Sequence, residues 1–268
     1  MKKFVISFLG ILALSLPANA GFKEHFDLAQ QYLSNYQYSS AISEFKNALK
    51  INYMDNSARI GLVNSYLARG TYHANTEKNY DKAADDYRSA LFYLSMYPNA
   101  NSVKNSAHAI TQVSGNLEKC LEVTNFDKNP QSRFNKAKQL RAQGDFAAAA
   151  YEFSQSLGSK ELVKDSFQQI GDIMKLFGND PKSAEYYRKA VAAAPNDIPL
   201  RLSYAKVLDK LGSEELAVEE YNFILTRSID NKEVLTNKNL KKKLFANKKI
   251  GIADVFSKCK RKNKESSK

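Results

Sequence analysis

A single spacing constrains this chain more than any other feature. Three segments, Pro130 to Val163, Lys164 to Asp197 and Ile198 to Asn231, align without gaps, their starts 34 residues apart. The eighth residue of each is small (Ala137, Gly171, Ala205) and the eleventh large and apolar (Leu140, Met174, Leu208). The fifteenth is glycine (Gly144, Gly178, Gly212), the twentieth small (Ala149, Ser183, Ala217) and the twenty-fourth aromatic (Phe153, Tyr187, Tyr221). Small residues let two helices approach closely, and the large apolar and aromatic residues fill the space between them at helical spacing. The glycine supplies a left-handed turn where a Cβ would be strained. Each segment therefore reads as helix, tight turn, helix. One such hairpin cannot bury its apolar face alone, so neighbours must stack.

The amino-terminal half carries the same unit more loosely. Phe22 to Asp55 places Ala29, Tyr32, Tyr38, Ala41, Phe45 and Ala48 in the matching columns, with Tyr36 where the turn glycine is expected. Asn56 to Tyr97 keeps Tyr66, Gly70, Tyr80, Ala83, Tyr87 and Ala90, with eight residues, Thr71 to Lys78, inserted at its turn. Between Pro98 and Asn129 the pattern fails. Val103 to Val123 reads as one long helix with Ala107, Ile110, Val113, Leu117 and Leu121 on one side. This segment is either a degenerate repeat or a spacer helix.

The columns resemble those of the tetratricopeptide repeat, and Gly178 to Pro195 (GNDPKSAEYYRKAVAAAP) is similar to that family's turn, second helix and closing proline. The resemblance implies an all-α, right-handed α-solenoid of helix-turn-helix repeats. It sets two units at 21–97, with the insertion at 71–78, an irregular stretch at 98–129 and three units at 130–231. It also implies that first helices of successive units line a concave groove that holds a partner protein or peptide. Carried over residue by residue, the groove positions are Phe134, Lys138 and Arg141, then Gln168, Asp172 and Lys175, then Leu202, Lys206 and Asp209. Phe26, Gln30, Asn64 and Leu67 are the amino-terminal counterparts. The Lys and Asn arrangement with which some family members clamp a terminal carboxylate is not reproduced.

The two ends of the chain read differently from its body. Lys2 and Lys3 precede an apolar run from Phe4 to Leu16, broken by Pro17 and followed by Ala18-Asn19-Ala20. This is the layout of a secretory signal peptide with cleavage after Ala20, which directs the chain to the periplasm or the medium. The formal charge of +12 is unevenly spread: residues 21–231 hold 25 basic and 25 acidic side chains, whereas 232–268 hold 13 and 3. Leu240 and Leu244 share a helical face within Val234 to Ile252, which suits a polar cap for the end of a stack. Beyond it, Lys258, Lys260, Arg261, Lys262 and Lys264 form a basic tail suited to an anionic membrane or envelope surface. Export disfavours nucleic acid as the partner.

No catalytic constellation is visible. There is no Gly-rich phosphate loop, HExxH, CxxC or GxSxG. His25, His73 and His108 fall in different units, and Cys120 and Cys259 are too few for a disulfide scaffold. The acid pairs Asp85-Asp86 and Glu219-Glu220 are expected on a solvated face of second helices. No cofactor or metal is expected. The sequence thus points to a non-catalytic scaffold or adaptor that binds protein in its groove, or alternatively to a peripheral envelope protein held by its tail.

Overall fold

The computed structural model describes residues 18–96 and 103–227. The signal-peptide run, the capping segment and the basic tail therefore lie outside the described residues. Within them the chain is all-α: helical hairpins of the tetratricopeptide-like kind. It divides into two compact units, one reaching Arg69 and the other starting at Gly70.

The first unit contains α1 (Ala18–Ser34), α2 (Tyr38–Ile51) and the beginning of α3 (Asn56–Asn75). α1 and α2 pack as an antiparallel hairpin, with Ala29, Ala41, Phe45 and Ala48 fully buried between them and α3. The turn lacks glycine, yet the conformation does not change: Tyr36 takes φ 59°, and Gln37 N–H donates to Tyr32 C=O at 2.9 Å. α3 is capped by Asp55, whose carboxylate accepts from Ala58 N–H at 2.7 Å. Gly61 leaves room for the Phe45 ring; a Cβ there would stand 2.2 Å from Cζ.

The second unit runs through α4 (Tyr80–Met96), α5 (Val103–Val123), α6 (Pro130–Gln143), α7 (Phe146–Gln155), α8 (Val163–Leu176), α9 (Asp180–Ala193), α10 (Ile198–Lys210) and α11 (Glu214–Arg227). α6/α7, α8/α9 and α10/α11 are the three hairpins of the 34-residue spacing. Gly144, Gly178 and Gly212 take φ of 85°, 73° and 72° at their turns. In each turn the next N–H reaches back to a helix carbonyl, as Asp145 does to Leu140 and Asn179 to Met174, both at 2.9 Å. This closing geometry satisfies carbonyls that the helix end leaves without partners. Side chains of Asn129, Asn179 and Asp197 cap the starts of α6, α9 and α10. Hairpins then stack, α7 on α8 and α9 on α10. Tyr187, Leu200, Tyr204, Leu208, Tyr221 and Ile224 form one continuous core across the last two.

Two expectations need correction. The inserted residues do not form a loop: through Asn75 they lengthen α3, and the left-handed turn falls at Lys78 (φ 55°), leaving Gly70 inside the helix. Gly70 serves close packing instead, its Cα facing the Tyr87 ring, with which a Cβ would make a 3.0 Å contact. The physical reason is that Thr71 to Asn75 contain no breaker, so the helix simply continues. The second correction concerns Asp85-Asp86. Asp86 is 3% exposed, packed against Gly70 and His73 of α3, and Asp85 belongs to a charge network with Arg88 and Lys136, on the side of α4 where α7 packs. Of the other pair, Glu219 is exposed and Glu220 meets Arg201.

α5 is a single helix packed on α4 through Val113, Leu117, Cys120 and Leu121, whereas Ala107 is exposed. It ends at Asn125, φ 51°, with Phe126 N–H donating to Leu121 C=O at 2.9 Å. That is the stop of a repeat's first helix, but the helix that follows is α6, itself the start of the next hairpin. The helix that packs on α4 is α7, while α6 reaches α4 through Lys136, 3.3 Å from Asp85.

Candidate functional site

The exposed arc of α6 is bordered on one side by α8. Phe134, Lys138, Arg141 and Ala142 of α6 and Asp165 and Gln169 of α8 line an open pocket of about 620 Å³. Phe134 is its apolar floor: the ring is 9% exposed, packs edge-on against Phe153 at 5.3 Å, and carries the Lys138 ammonium 5.3 Å above its centroid. Lys138 is otherwise exposed.

Arg141 is held rather than free. One guanidinium nitrogen donates to Gln169 Oε1, and the other stands 3.8 Å from Asp172 Oδ2. Asp172 in turn accepts from the Tyr187 hydroxyl. Burial, then the bond to Asp172, raises the Tyr187 pKa, so this phenol stays a donor throughout the physiological range. Tyr187, Asp172 and Arg141 thus form a chain from the α8/α9 core to the pocket rim. Asp165 pairs with Lys164 at 2.6 Å. The pocket therefore offers two cations beside one aromatic face, with its nearer acids already engaged.

Of the nine carboxy-terminal positions named from sequence, Phe134, Lys138 and Arg141 come together in this pocket. Asp172 supports Arg141 from behind. Gln168 is half-buried and Lys175 exposed on α8, neither lining the pocket. On α10, Leu202 packs partly against the α9–α11 core, Lys206 is exposed and Asp209 half-buried. In the first unit Phe26 stacks on Phe22 at 5.9 Å and meets Phe45 at 5.8 Å; Leu67 is half-buried and Gln30 and Asn64 are exposed. Asp165 and Gln169 were not singled out from sequence. Copying α6's positions by 34 residues selects the matching arc of α8, but the wall of a groove between two helices uses opposite flanks of each.

The histidines do not converge. His25 Nδ1 lies 2.6 Å from Glu44 Oε2, His108 is exposed, and His73 Nδ1 lies 3.1 Å from Asp86 Oδ2 without hydrogen-bonding geometry. Among the described residues no group of three His, Cys, Asp or Glu side chains is placed to hold a metal ion. Burial raises the Cys120 thiol pKa. No helix among them is long and apolar enough to cross a membrane.

No family model matches the chain, and no curated protein does. Solved structures it is similar to include Pseudomonas aeruginosa PilF (16% identity, 81% of each chain, TM-score 0.36). Others are the TPR domain of P58(IPK) (16%, 92% of this chain and 70% of that one, 0.39) and PilW, a type IV pilus biogenesis factor (16%, 80% and 97%, 0.38). At this level of superposition the likeness carries no functional inference.

Proposed function

We propose that the chain is a non-catalytic scaffold or adaptor of the cell envelope that binds a partner protein through the groove between α6 and α8. One observation supports this most: Arg141 is positioned by Gln169 and Asp172 beside the Phe134 floor, in an open pocket of about 620 Å³. A guanidinium already oriented loses little freedom on binding, which favours affinity. The ligand chemistry that suits it is a segment presenting a carboxylate next to an apolar side chain, the acid meeting Lys138 and Arg141 by charge-assisted hydrogen bonds. Lys175 and the α10 residues Leu202, Lys206 and Asp209 extend this surface in the same reading. The envelope setting rests on the amino-terminal signal.

The test is pull-down from the native host with Lys138→Glu, Arg141→Glu and Lys175→Glu combined. Loss of the captured partner, with an unchanged helical circular dichroism spectrum, is expected; capture of every partner by the variant rejects the reading. The charge of residues 232–268 favours a second contact, attachment of Lys258, Lys260, Arg261, Lys262 and Lys264 to an anionic surface. Deleting Lys258 to Lys268 then releases the protein from phosphatidylglycerol vesicles, and binding weakens as salt rises; salt-independent binding rejects it.

A further inference from the structure

The aromatic column of the repeat carries a hydroxyl where packing does not ask for one. Phe45, Phe153 and Tyr187 hold the equivalent place in their hairpins. All three are buried, Phe45 and Phe153 at 0% exposure and Tyr187 at 1%. A phenyl ring is therefore enough to fill the space between the two helices. The Tyr187 ring is also fixed in place. It lies on Gly171, where a Cβ would stand 3.3 Å from Cδ1, and it belongs to the continuous core of the last two hairpins. A buried hydroxyl needs a partner, and this one donates to Asp172 Oδ1.

Asp172 thus stands between two donors. Oδ1 takes the Tyr187 hydroxyl, while Oδ2 is 3.8 Å from Arg141 Nη2, beyond hydrogen-bond distance. Arg141 Nη1 meanwhile donates to Gln169 Oε1. The guanidinium is oriented by a neutral carboxamide and attracted by a carboxylate to which it is not bonded. That distinction sets its use. An arginine closed on its own acid has its donors occupied and its charge neutralised; one held at a distance keeps both for a ligand. A turn of the carboxylate by about 1 Å would reach ordinary ion-pair distance. The hydroxyl opposes that turn, because the carboxylate would forfeit a charge-assisted bond to a donor that cannot follow it.

We propose that Tyr187 is a positioning residue of the α6–α8 pocket: its hydroxyl holds Asp172 off Arg141 and so leaves the guanidinium open to an anionic ligand. The proposal rests on the reading of that pocket as a site for a carboxylate, and it names the core residue that keeps the site's arginine available. Removing the hydroxyl lets Asp172 close on Arg141, so a tighter internal ion pair and a weaker ligand go together.

Two measurements on the whole chain test this. The first needs no ligand: nitrogen NMR of the Arg141 guanidinium, whose rotation about Nε–Cζ slows when both Nη groups are held. Tyr187→Phe is expected to slow that rotation as Asp172 closes on the second nitrogen, and the change is expected to vanish in the Asp172→Asn background. The second is a titration with 4-methylpentanoate, with 4-methylpentanamide as the uncharged control. The carboxylate binds saturably, and Tyr187→Phe weakens it about threefold, the scale of a partly exposed ion pair. Tyr187→Phe with Asp172→Asn binds it as well as Asp172→Asn alone. A hydroxyl that served packing only would give the same loss in both backgrounds. Circular dichroism checks that the fold is kept. Arg141 rotation unchanged by Tyr187→Phe, or an equal change with and without the Asp172 carboxylate, overturns the proposal. Absence of binding by the parent chain, or equal affinity for the amide, rejects the pocket as a carboxylate site, while the rotation measurement still decides the part played by Tyr187.

Discussion

Arg88 Nε donates to Glu152 Oε1 at 2.5 Å, joining α4 to α7 across 64 residues of sequence, with the two side chains 2% and 0% exposed. The other carboxylate oxygen accepts from Arg133 at 3.0 Å, and Arg88 also meets Asp85. The Phe126 ring lies 5.2 Å from the Arg88 guanidinium and 5.8 Å from that of Arg133. Breaking a buried ion pair on one side leaves a stranded charge and costs about 3–5 kcal/mol. Glu152→Ala is therefore expected to destabilise the second unit by about that much in urea unfolding. Replacing both Arg88 and Glu152 by methionine should cost less than Glu152→Ala alone. A double variant as unstable as the sum of the singles would show that the pair is not the origin of the loss.

Gly61 lies directly against the Phe45 ring. A Cβ at Gly61 would overlap the ring at 2.2 Å, and that ring is fully buried. Gly61→Ala gains about 1 kcal/mol of helix propensity but must displace a packed phenyl group, an overpacking cost of about 1–3 kcal/mol. Net destabilisation is expected, and Gly61→Ala with Phe45→Leu should recover part of it. Thermal unfolding of the two variants is the measurement.

What the sequence made legible follows from where its information lies. The columns of the 34-residue repeat report contacts inside one hairpin, and Gly144, Gly178 and Gly212 stand at left-handed turns as those columns require. Contacts between hairpins leave no local trace. Asp86 and Glu152 read as surface residues by type; packing of α4 against α3 buries the first, and α4 meeting α7 buries the second. The same holds for the groove. Phe134, Lys138 and Arg141 follow from the position of α6 in its unit, whereas Gln169 and Asp165 depend on which flank of α8 turns toward it.

Tyr36 occupies a left-handed turn conformation without being glycine and is 78% exposed. A side chain in that conformation costs about 1–2 kcal/mol, while glycine adds unfolded-state entropy of about 0.5–1 kcal/mol. Tyr36→Gly should thus stabilise the first unit slightly, by about 0.5–1 kcal/mol. Gly178→Ala, at φ 73° with open space around it, should destabilise by about 1 kcal/mol. Opposite signs at equivalent turns are the expected outcome. Destabilisation by Tyr36→Gly would mean that the ring contact with Tyr38, 6.4 Å away, outweighs the strain.

Glu185 gives the stack a pH dependence of known sign. Hydrogen bonds from Lys182 and Lys189, both at 2.8 Å, lower its pKa to about 2. An unfolded glutamate titrates near 4.3. The folded form therefore holds its proton less tightly than the unfolded one, and the triad contributes stability above about pH 4.3 that is lost as pH falls toward 2. The carboxylate is about one third exposed, so solvent and salt screen the gain and the effect is small. Urea midpoints of the parent chain should fall more steeply between pH 4.5 and 2 than those of Glu185→Gln, and the difference between the two should shrink in about 1 M salt. Parallel profiles for parent and variant would remove Glu185 from the acid response.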